Sequence, residues 1–187
     1  MKATEILIAE HTVIGRVLDA LEEAVRNDQA AGPEFFITAA DFASGFADGC
    51  HHRKEENVLF KAMSASGVPV ERGPIGMMLN EHEQGRQLIR AMRRGAAEWK
   101  NGQQAGRSET LEAAGQYVLL LRQHIAKENN VLFPMADHFI PLQEQGQVAE
   151  DFERVEHAET GEGVHEKYLA LAESLEKQAR AWAHVSG

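Results

Sequence analysis

The sequence repeats a ten-residue stretch that places His and Glu one helical turn apart. HHRKEENVLF begins at His51 and HIAKENNVLF begins at His124, and seven of the ten positions are identical. The repeat aligns Glu55 with Glu128, each four residues after its histidine. Because four residues turn a helix by about 400° and raise it by about 6 Å, both side chains of each pair share a face. An imidazole and a carboxylate placed in this way form half a site for iron, manganese or zinc.

A single His-x-x-x-Glu pair is commonly a surface contact without a metal, but two pairs in matching sequence favour a buried site. The first repeat also offers a second pair one residue on, His52 and Glu56. The helix face of His51 and Glu55 otherwise carries small residues, whereas the face of His52 carries two aspartates, Asp48 among them, and is expected to meet solvent. We therefore prefer His51 and Glu55 as the site residues, with His52 and Glu56 as the open alternative.

Two further histidines, His11 and His82, lie on apolar faces of the first and third predicted helices. In an antiparallel bundle, equal distances from a turn mean equal depth, at about 1.5 Å per residue. With turns near residues 30, 70 and 104, His11, His51, His82 and His124 fall within about two helical turns of one level. One histidine from each helix, and a carboxylate from each of two helices, are therefore expected to meet inside the bundle.

The positioning elements are helices, because apolar residues recur at steps of three and four and the breaks carry Gly and Pro. The pattern predicts one helix before Gly32-Pro33, two more over about 34–64 and 74–100, a fourth from Ser108, and two further stretches over about 148–160 and 164–184. The predicted inner face of the fourth helix includes Tyr117, Leu121, His124 and Val131. We expect an all-α, antiparallel up-down-up-down four-helix bundle over 1–137. A helical C-terminal appendage, 138–187, is expected to pack on this bundle.

Composition narrows the function classes. There are 19 basic and 29 acidic residues in 187, a net charge of −10, which disfavours binding to nucleic acid or anionic membrane. The chain has 9 histidines but one cysteine, Cys50, so a disulfide framework, a multi-thiolate iron–sulfur site and a Cys-rich zinc site are excluded. We find no targeting signal and no run of about 18 apolar residues, so a cytoplasmic protein is expected.

Four motifs together resemble the hemerythrin-like, or HHE cation-binding, family over about residues 5–137. They are Glu10-His11, HHRKEENVLF, GPIGMMLNEHEQGR around His82, and HIAKENNVLFPM. The resemblance implies a four-helix bundle that encloses two iron ions bridged by oxide or hydroxide, with zinc or manganese as substitutes. Carried over by motif, the terminal ligands would be His11, His51, His82 and His124, and the bridging ligands Glu55 and Glu128.

The chain departs from the oxygen-carrying members of that family. They have a His-x-x-x-His on the third helix, where this chain has Met78 before His82, and a longer His-to-Asp spacing on the fourth. These departures argue against reversible oxygen carriage. The pattern is nearer to bacterial di-iron proteins linked to nitric oxide stress and iron–sulfur repair, although this chain lacks their cysteine-rich segment. His157 and His165, in the appendage, are candidates for a further ligand.

The expected function is a non-haem di-iron protein that binds or reacts with dioxygen, nitric oxide or hydrogen peroxide, in stress response or iron handling. It is then an enzyme, such as a peroxidase or a nitric-oxide-detoxifying protein, or a scavenger. The alternatives are a non-catalytic iron or oxygen sensor and a metal-binding interaction bundle. The sequence identifies no reductase partner.

Overall fold

The computed structural model describes residues 2–159 and 163–183, and within these ranges the chain is helical without a strand. The described residues form six helices, α1 (Ala3–Arg26), α2 (33–65), α3 (Pro74–Lys100), α4 (104–139), α5 (Leu142–Glu159) and α6 (Val164–Ala183). The all-α prediction is therefore confirmed. The predicted helix ends at residues 160 and 184 lie outside the described residues.

The helices begin where the local sequence favours it. Pro33 and Pro74 stand in the first turn of α2 and α3, where a missing backbone N–H leaves no hydrogen bond unmade. Gly67 and Gly102 follow the ends of α2 and α3 with φ of +97° and +84°, a region that favours glycine. The α4 helix begins at Gln104, four residues before the predicted start.

Two helices change to the wider π-helical hydrogen bonding near the repeated motif. In α2 this geometry covers Ala43–His52 and Glu55–Leu59, and in α4 it covers Glu128–Leu132. The second and third segments begin at the aligned glutamates of the repeat, so the sequence repeat is also a repeat of backbone geometry. Such segments occur often at functional sites.

The π segments make two expectations wrong, because helix faces were assigned at 3.6 residues per turn. His52 was expected on a solvent-facing stripe, yet it is 3% exposed. Val131 was expected inside, yet it is 52% exposed, while Leu132 and Phe133 beside it are buried. An extra residue in the turn rotates every later side chain relative to the α-helical pattern.

Two apolar clusters fill the bundle, and the buried histidines lie between them on all four helices. The α1 helix contributes Leu7 to one cluster and Ile14 to the other, so that His11 stands between. Along α2 the order reverses, with Ala47 before His51 and Val58 after it. On α3 and α4 the same alternation recurs around His82 and His124. This alternation is that of an antiparallel up-down-up-down bundle, with the histidines in one layer.

The C-terminal helices extend both clusters. Phe152 of α5 is buried in one cluster, and Leu175 of α6 in the other. At the edge of α1, Arg16 pairs with Glu176 of α6 at 2.5 Å. None of the described helices has a stretch apolar and long enough to cross a membrane.

Candidate metal centre

The four histidines that the sequence placed at one level meet in two pairs. Nε2 of His11 lies 2.9 Å from Nε2 of His51, and Nε2 of His82 lies 3.1 Å from Nε2 of His124. None of the four residues is more than 5% exposed. Each pair joins two helices, α1 with α2 and α3 with α4.

The two glutamates of the repeat connect the pairs. Glu128 places one carboxylate oxygen 3.2 Å from Nε2 of His11 and the other 3.0 Å from Nε2 of His124. Glu55 places its two oxygens 3.6 Å from Nε2 of His51 and 3.4 Å from Nε2 of His82. Both glutamates are fully buried. The structure therefore brings all six sequence-predicted residues together, with each carboxylate reaching both histidine pairs.

A seventh residue, His52, joins the site. Its ring stacks on that of His82, with centroids 3.8 Å apart and planes 11° from parallel. The side-chain donors fall into two groups whose ligating atoms lie within 4.8 Å of one another: His52, Glu55, His82 and His124 in one, and His11, His51, Glu55 and Glu128 in the other. The sequence signal for His52 was the doubled histidine. Because helix faces were assigned at the α-helical period, however, His52 was placed on the solvent-facing side.

Outer hydrogen bonds orient the four paired imidazoles. Each Nδ1 lies 2.7–2.9 Å from a side-chain oxygen, and the acceptors of His11, His51, His82 and His124 are Asn129, Glu10, Glu56 and Glu81 respectively. A neutral imidazole that donates from Nδ1 carries its lone pair on Nε2. When both rings of a pair are neutral, their Nε2 lone pairs face one another, an arrangement that a shared cation stabilises.

The outer residues follow the internal repeat. Glu10 accepts from His51 and from Lys54, and Glu81 accepts from His124 and from Lys127. Both glutamates immediately precede a histidine of the site, and both lysines immediately precede a glutamate of the site. The aromatic residues that end the repeated motif also correspond, since Phe60 stacks on His82 and Phe133 stacks on His11. The site is thus built from two related halves.

Burial sets the protonation of the imidazoles. It lowers the pKa of His51 to about 4 and that of His52 to about 3, and it also lowers the pKa of His82. These rings are therefore neutral at pH 7, the form that binds a metal. For His124, burial acts downward, but the carboxylates of Glu128 and Glu81 outweigh it and raise the pKa to about 9.

The pKa values of the two buried carboxylates shift in opposite directions. Burial, and then the charge of Glu128, hold the pKa of Glu55 well above its usual value. Burial also acts upward on Glu128, but the imidazoles of His11 and His124 outweigh it, so its pKa lies well below the usual value. A metal ion that binds here would displace protons from Glu55 and His124.

Buried polar atoms that lack a hydrogen-bond partner indicate whether a metal fits the site. All four carboxylate oxygens of Glu55 and Glu128, and both ring nitrogens of His52, lack an aligned hydrogen-bond partner. Burial of such groups is costly unless a partner satisfies them. Five imidazoles and two carboxylates are a donor set that iron, manganese and zinc accept. The residues present therefore fit a metal.

His157 and His165, the appendage candidates for a further ligand, lie outside these two groups. Glu10, Glu156 and His165 form a third cluster, but Nζ of Lys54 lies 2.5 Å from both Glu10 and Glu156 and supplies the positive charge there. His157 is exposed.

Two other residues near the site are buried. Cys50 is 1% exposed, and burial raises the pKa of its thiol to about 11. Tyr117 is 2% exposed, and its hydroxyl has no hydrogen-bond partner among the described residues.

The helical bundle and its buried His/Glu layer define a cation-binding domain, and the comparisons with known proteins agree. The family model described as Hemerythrin HHE cation binding domain matches residues 2–136, and the chain belongs to this family. Similar curated proteins include uncharacterised proteins of Mycobacterium bovis and Mycobacterium tuberculosis. They are 25% identical over 179 residues, which cover 94% of this chain and 69% of theirs. No solved structure matches the chain significantly.

Proposed function

We propose that the chain holds two non-haem iron ions and binds or reacts with dioxygen, nitric oxide or hydrogen peroxide, in oxidative or nitrosative stress response or in iron handling. The observation that carries the proposal is the pair of buried donor groups that share Glu55. Zinc or manganese would suit the same donors as substitutes. When bound, adjacent irons supply the redox chemistry that these small ligands require.

The two donor groups are unequal, and this favours one side for an external ligand. His52, His82 and His124 give one group three imidazoles, whereas the other has the two of His11 and His51. Glu128 also lies 3.2 Å from Nε2 of His11 and 3.0 Å from Nε2 of His124, so both carboxylates could serve both metal positions. The two-histidine side would then have fewer protein donors and more room for a small molecule.

The glycines near the site support the same side. A Cβ at Gly15, one turn after His11, would meet nothing within 4 Å. A Cβ at Gly85, which follows His82, would meet the ring of Tyr117 at 3.7 Å. In this proposal, the open space at Gly15 lets a small ligand approach His11.

The surrounding residues protect and orient this site. The apolar clusters above and below the histidine layer exclude water, which strengthens electrostatic interactions inside the site. The outer carboxylates hold the imidazoles of His51, His82 and His124 in one tautomer and orientation. The chain thus provides a dry and preorganised set of donors for a reaction with small molecules.

Stopped-flow mixing tests the proposal. Iron-loaded, anaerobically reduced protein is mixed separately with dioxygen, nitric oxide and hydrogen peroxide while visible absorption is followed. We expect a rapid spectral change with at least one ligand, and its loss in His82→Ala and Glu128→Ala. His157→Ala, at an exposed histidine, is the matched control. Iron-loaded protein that responds to none of the three would contradict the proposed function.

A second candidate function, a sensor without turnover, is favoured by one feature. A buried chain of contacts runs from His51 through Glu10 and Lys54 to Glu156 of α5. A change at the site could reach the C-terminal helices along this chain. Hydrogen exchange of α5 and α6 before and after ligand addition distinguishes the two functions. Altered exchange with one spectral event per site supports a sensor, and repeated turnover supports an enzyme.

A further inference from the structure

The two related halves of the site differ at four positions that cluster on one side. Around the ring of His82, three residues at successive turns of α2 and one residue of α3 are polar: Asp48, His52, Glu56 and Arg86. When the halves are aligned on their histidines, the corresponding positions are Leu121, Ile125, Asn129 and Gly15. A network of charged side chains therefore surrounds His82, whereas the corresponding positions around His11 are apolar, neutral or glycine.

The guanidinium of Arg86 organises that network. Its Nε donates to Asp48 Oδ1 at 2.9 Å, and its Nη2 donates to Glu56 Oε1 at 2.5 Å. The same Glu56 oxygen lies 2.7 Å from Nδ1 of His82, and the same Asp48 oxygen lies 3.4 Å from Nδ1 of His52. One planar side chain therefore fixes the two carboxylates that face two stacked imidazoles.

The two-histidine half has a weaker outer frame. His11 donates to the neutral amide of Asn129, and Gly15, at the position that corresponds to Arg86, has no side chain to hold that amide. A carboxylate acceptor increases the basicity of a ligand imidazole more than an amide does, and the rigid fork of arginine limits its movement.

We propose that Arg86, Asp48 and Glu56 are positioning residues that make the three-histidine group the tighter of two metal positions, so that metal enters there first. This inference rests on the proposed dinuclear centre. It explains the asymmetry of the repeat as a difference in metal affinity between the two positions. The metal position supported by Arg86, Asp48 and Glu56 holds the ion that stays bound, and the more weakly binding position exchanges its ligands.

Substitutions in this network are suited to a test because they lie at the edge of the core. Arg86 and its two carboxylate partners are each about one-quarter exposed, and they line a polar surface cavity of about 320 Å³. Arg86→Lys keeps the charge and removes the planar fork, so its effect reports orientation rather than net charge. Glu56→Gln keeps the shape and removes the carboxylate. Arg90→Lys is the control, since Arg90 is on the same helix, is 61% exposed and pairs with Glu83.

The experiment is an anaerobic titration of metal-free full-length protein with Co²⁺, followed by visible absorption. Wild type is expected to bind two ions in two resolved steps. Glu56→Gln and Arg86→Lys should weaken the first step, by about 10- to 100-fold for loss of the outer acceptor, and leave the second step unchanged. The cobalt absorption of the first step should also change, a signature that lower stability alone would not produce. Arg90→Lys should match wild type.

Three results would overturn the inference. They are a first step in both variants that superimposes on wild type, equal weakening of both steps, and a wild type whose two ions bind with equal affinity. Melting curves of the metal-free proteins identify a variant that has not folded, and the other variant then decides. Failure of the proposed function is distinguishable, because wild type would then bind fewer than two Co²⁺ ions at saturation.

Discussion

At the residue scale, the buried glutamates give the site two different states, with and without metal. Burial and the charge of Glu128 raise the pKa of Glu55 well above its usual value, which favours the neutral carboxyl in the metal-free protein, and a neutral amide resembles that form. We therefore expect Glu55→Gln to change the metal-free stability by less than about 1 kcal/mol. The rise in melting temperature that a bound metal gives should be lost, because the amide cannot bridge.

Calorimetry with and without added Fe²⁺ checks this prediction. Glu153→Gln, at an exposed position of α5, should behave as wild type in both conditions. A Glu55→Gln variant that keeps the full metal-dependent rise would show that Glu55 is not a ligand.

The lowered pKa of His52 predicts that the metal-free protein loses folding stability as the pH falls. Its pKa is about 3 in the folded state against an ordinary 6.5, so between these values the unfolded state binds a proton that the folded state does not. The depressed pKa therefore contributes stability that is present above pH 6.5 and is lost as the pH falls towards 3, at about 1.4 kcal/mol per unit. Urea unfolding of metal-free His52→Ile should show a weaker loss over this window than wild type. Parallel pH profiles of the two proteins would contradict the assignment of a buried, neutral His52.

At the element scale, the repeated motif predicted the site, but not the helix geometry that completes it. His51 and His124 were identified because identical residues at matching depth need a common explanation. His52 and Val131 were misassigned because hydrogen bonding in the π segments depends on tertiary packing, which a single helical period does not describe. The helix starts at Pro33 and Pro74 were predictable, since proline restricts the backbone locally.

The contact between α3 and α4 gives a prediction with an internal control. A Cβ at Gly106 would lie 2.5 Å from the Gly95 carbonyl and 2.7 Å from the Trp99 nitrogen, both backbone atoms that cannot easily move. Gly106→Ala should destabilise the protein by about 1–3 kcal/mol despite the higher helix propensity of alanine. Gly115→Ala on the same helix meets nothing within 4 Å and should stabilise by about 0.5–1 kcal/mol. Thermal melting measures both, and equal effects of the two substitutions would contradict the close crossing.

At the scale of the whole molecule, one buried lysine links the bundle to the C-terminal helices. Lys54 is 1% exposed and lies between Glu10 of α1 and Glu156 of α5. Because both carboxylates would lose the buried ammonium group that pairs with them, Lys54→Met should cost about 3–5 kcal/mol. Lys127 is the corresponding residue of the second repeat, but its side chain is 37% exposed, so Lys127→Met should cost about 1 kcal/mol or less.

Urea unfolding of the two lysine variants measures this difference. A cost at Lys54 no greater than that at Lys127 would show that the ion pairs with Glu10 and Glu156 do not hold α5 on the bundle.

We propose that one chain encloses two metal ions between two histidine pairs. Native mass spectrometry of the iron-reconstituted, desalted protein measures this without an intermediate step, because the mass counts ions per chain. We expect two irons per wild-type chain, and fewer than two in His82→Ala. A wild-type chain that holds one ion or none, or a His82→Ala chain that still holds two, would contradict it.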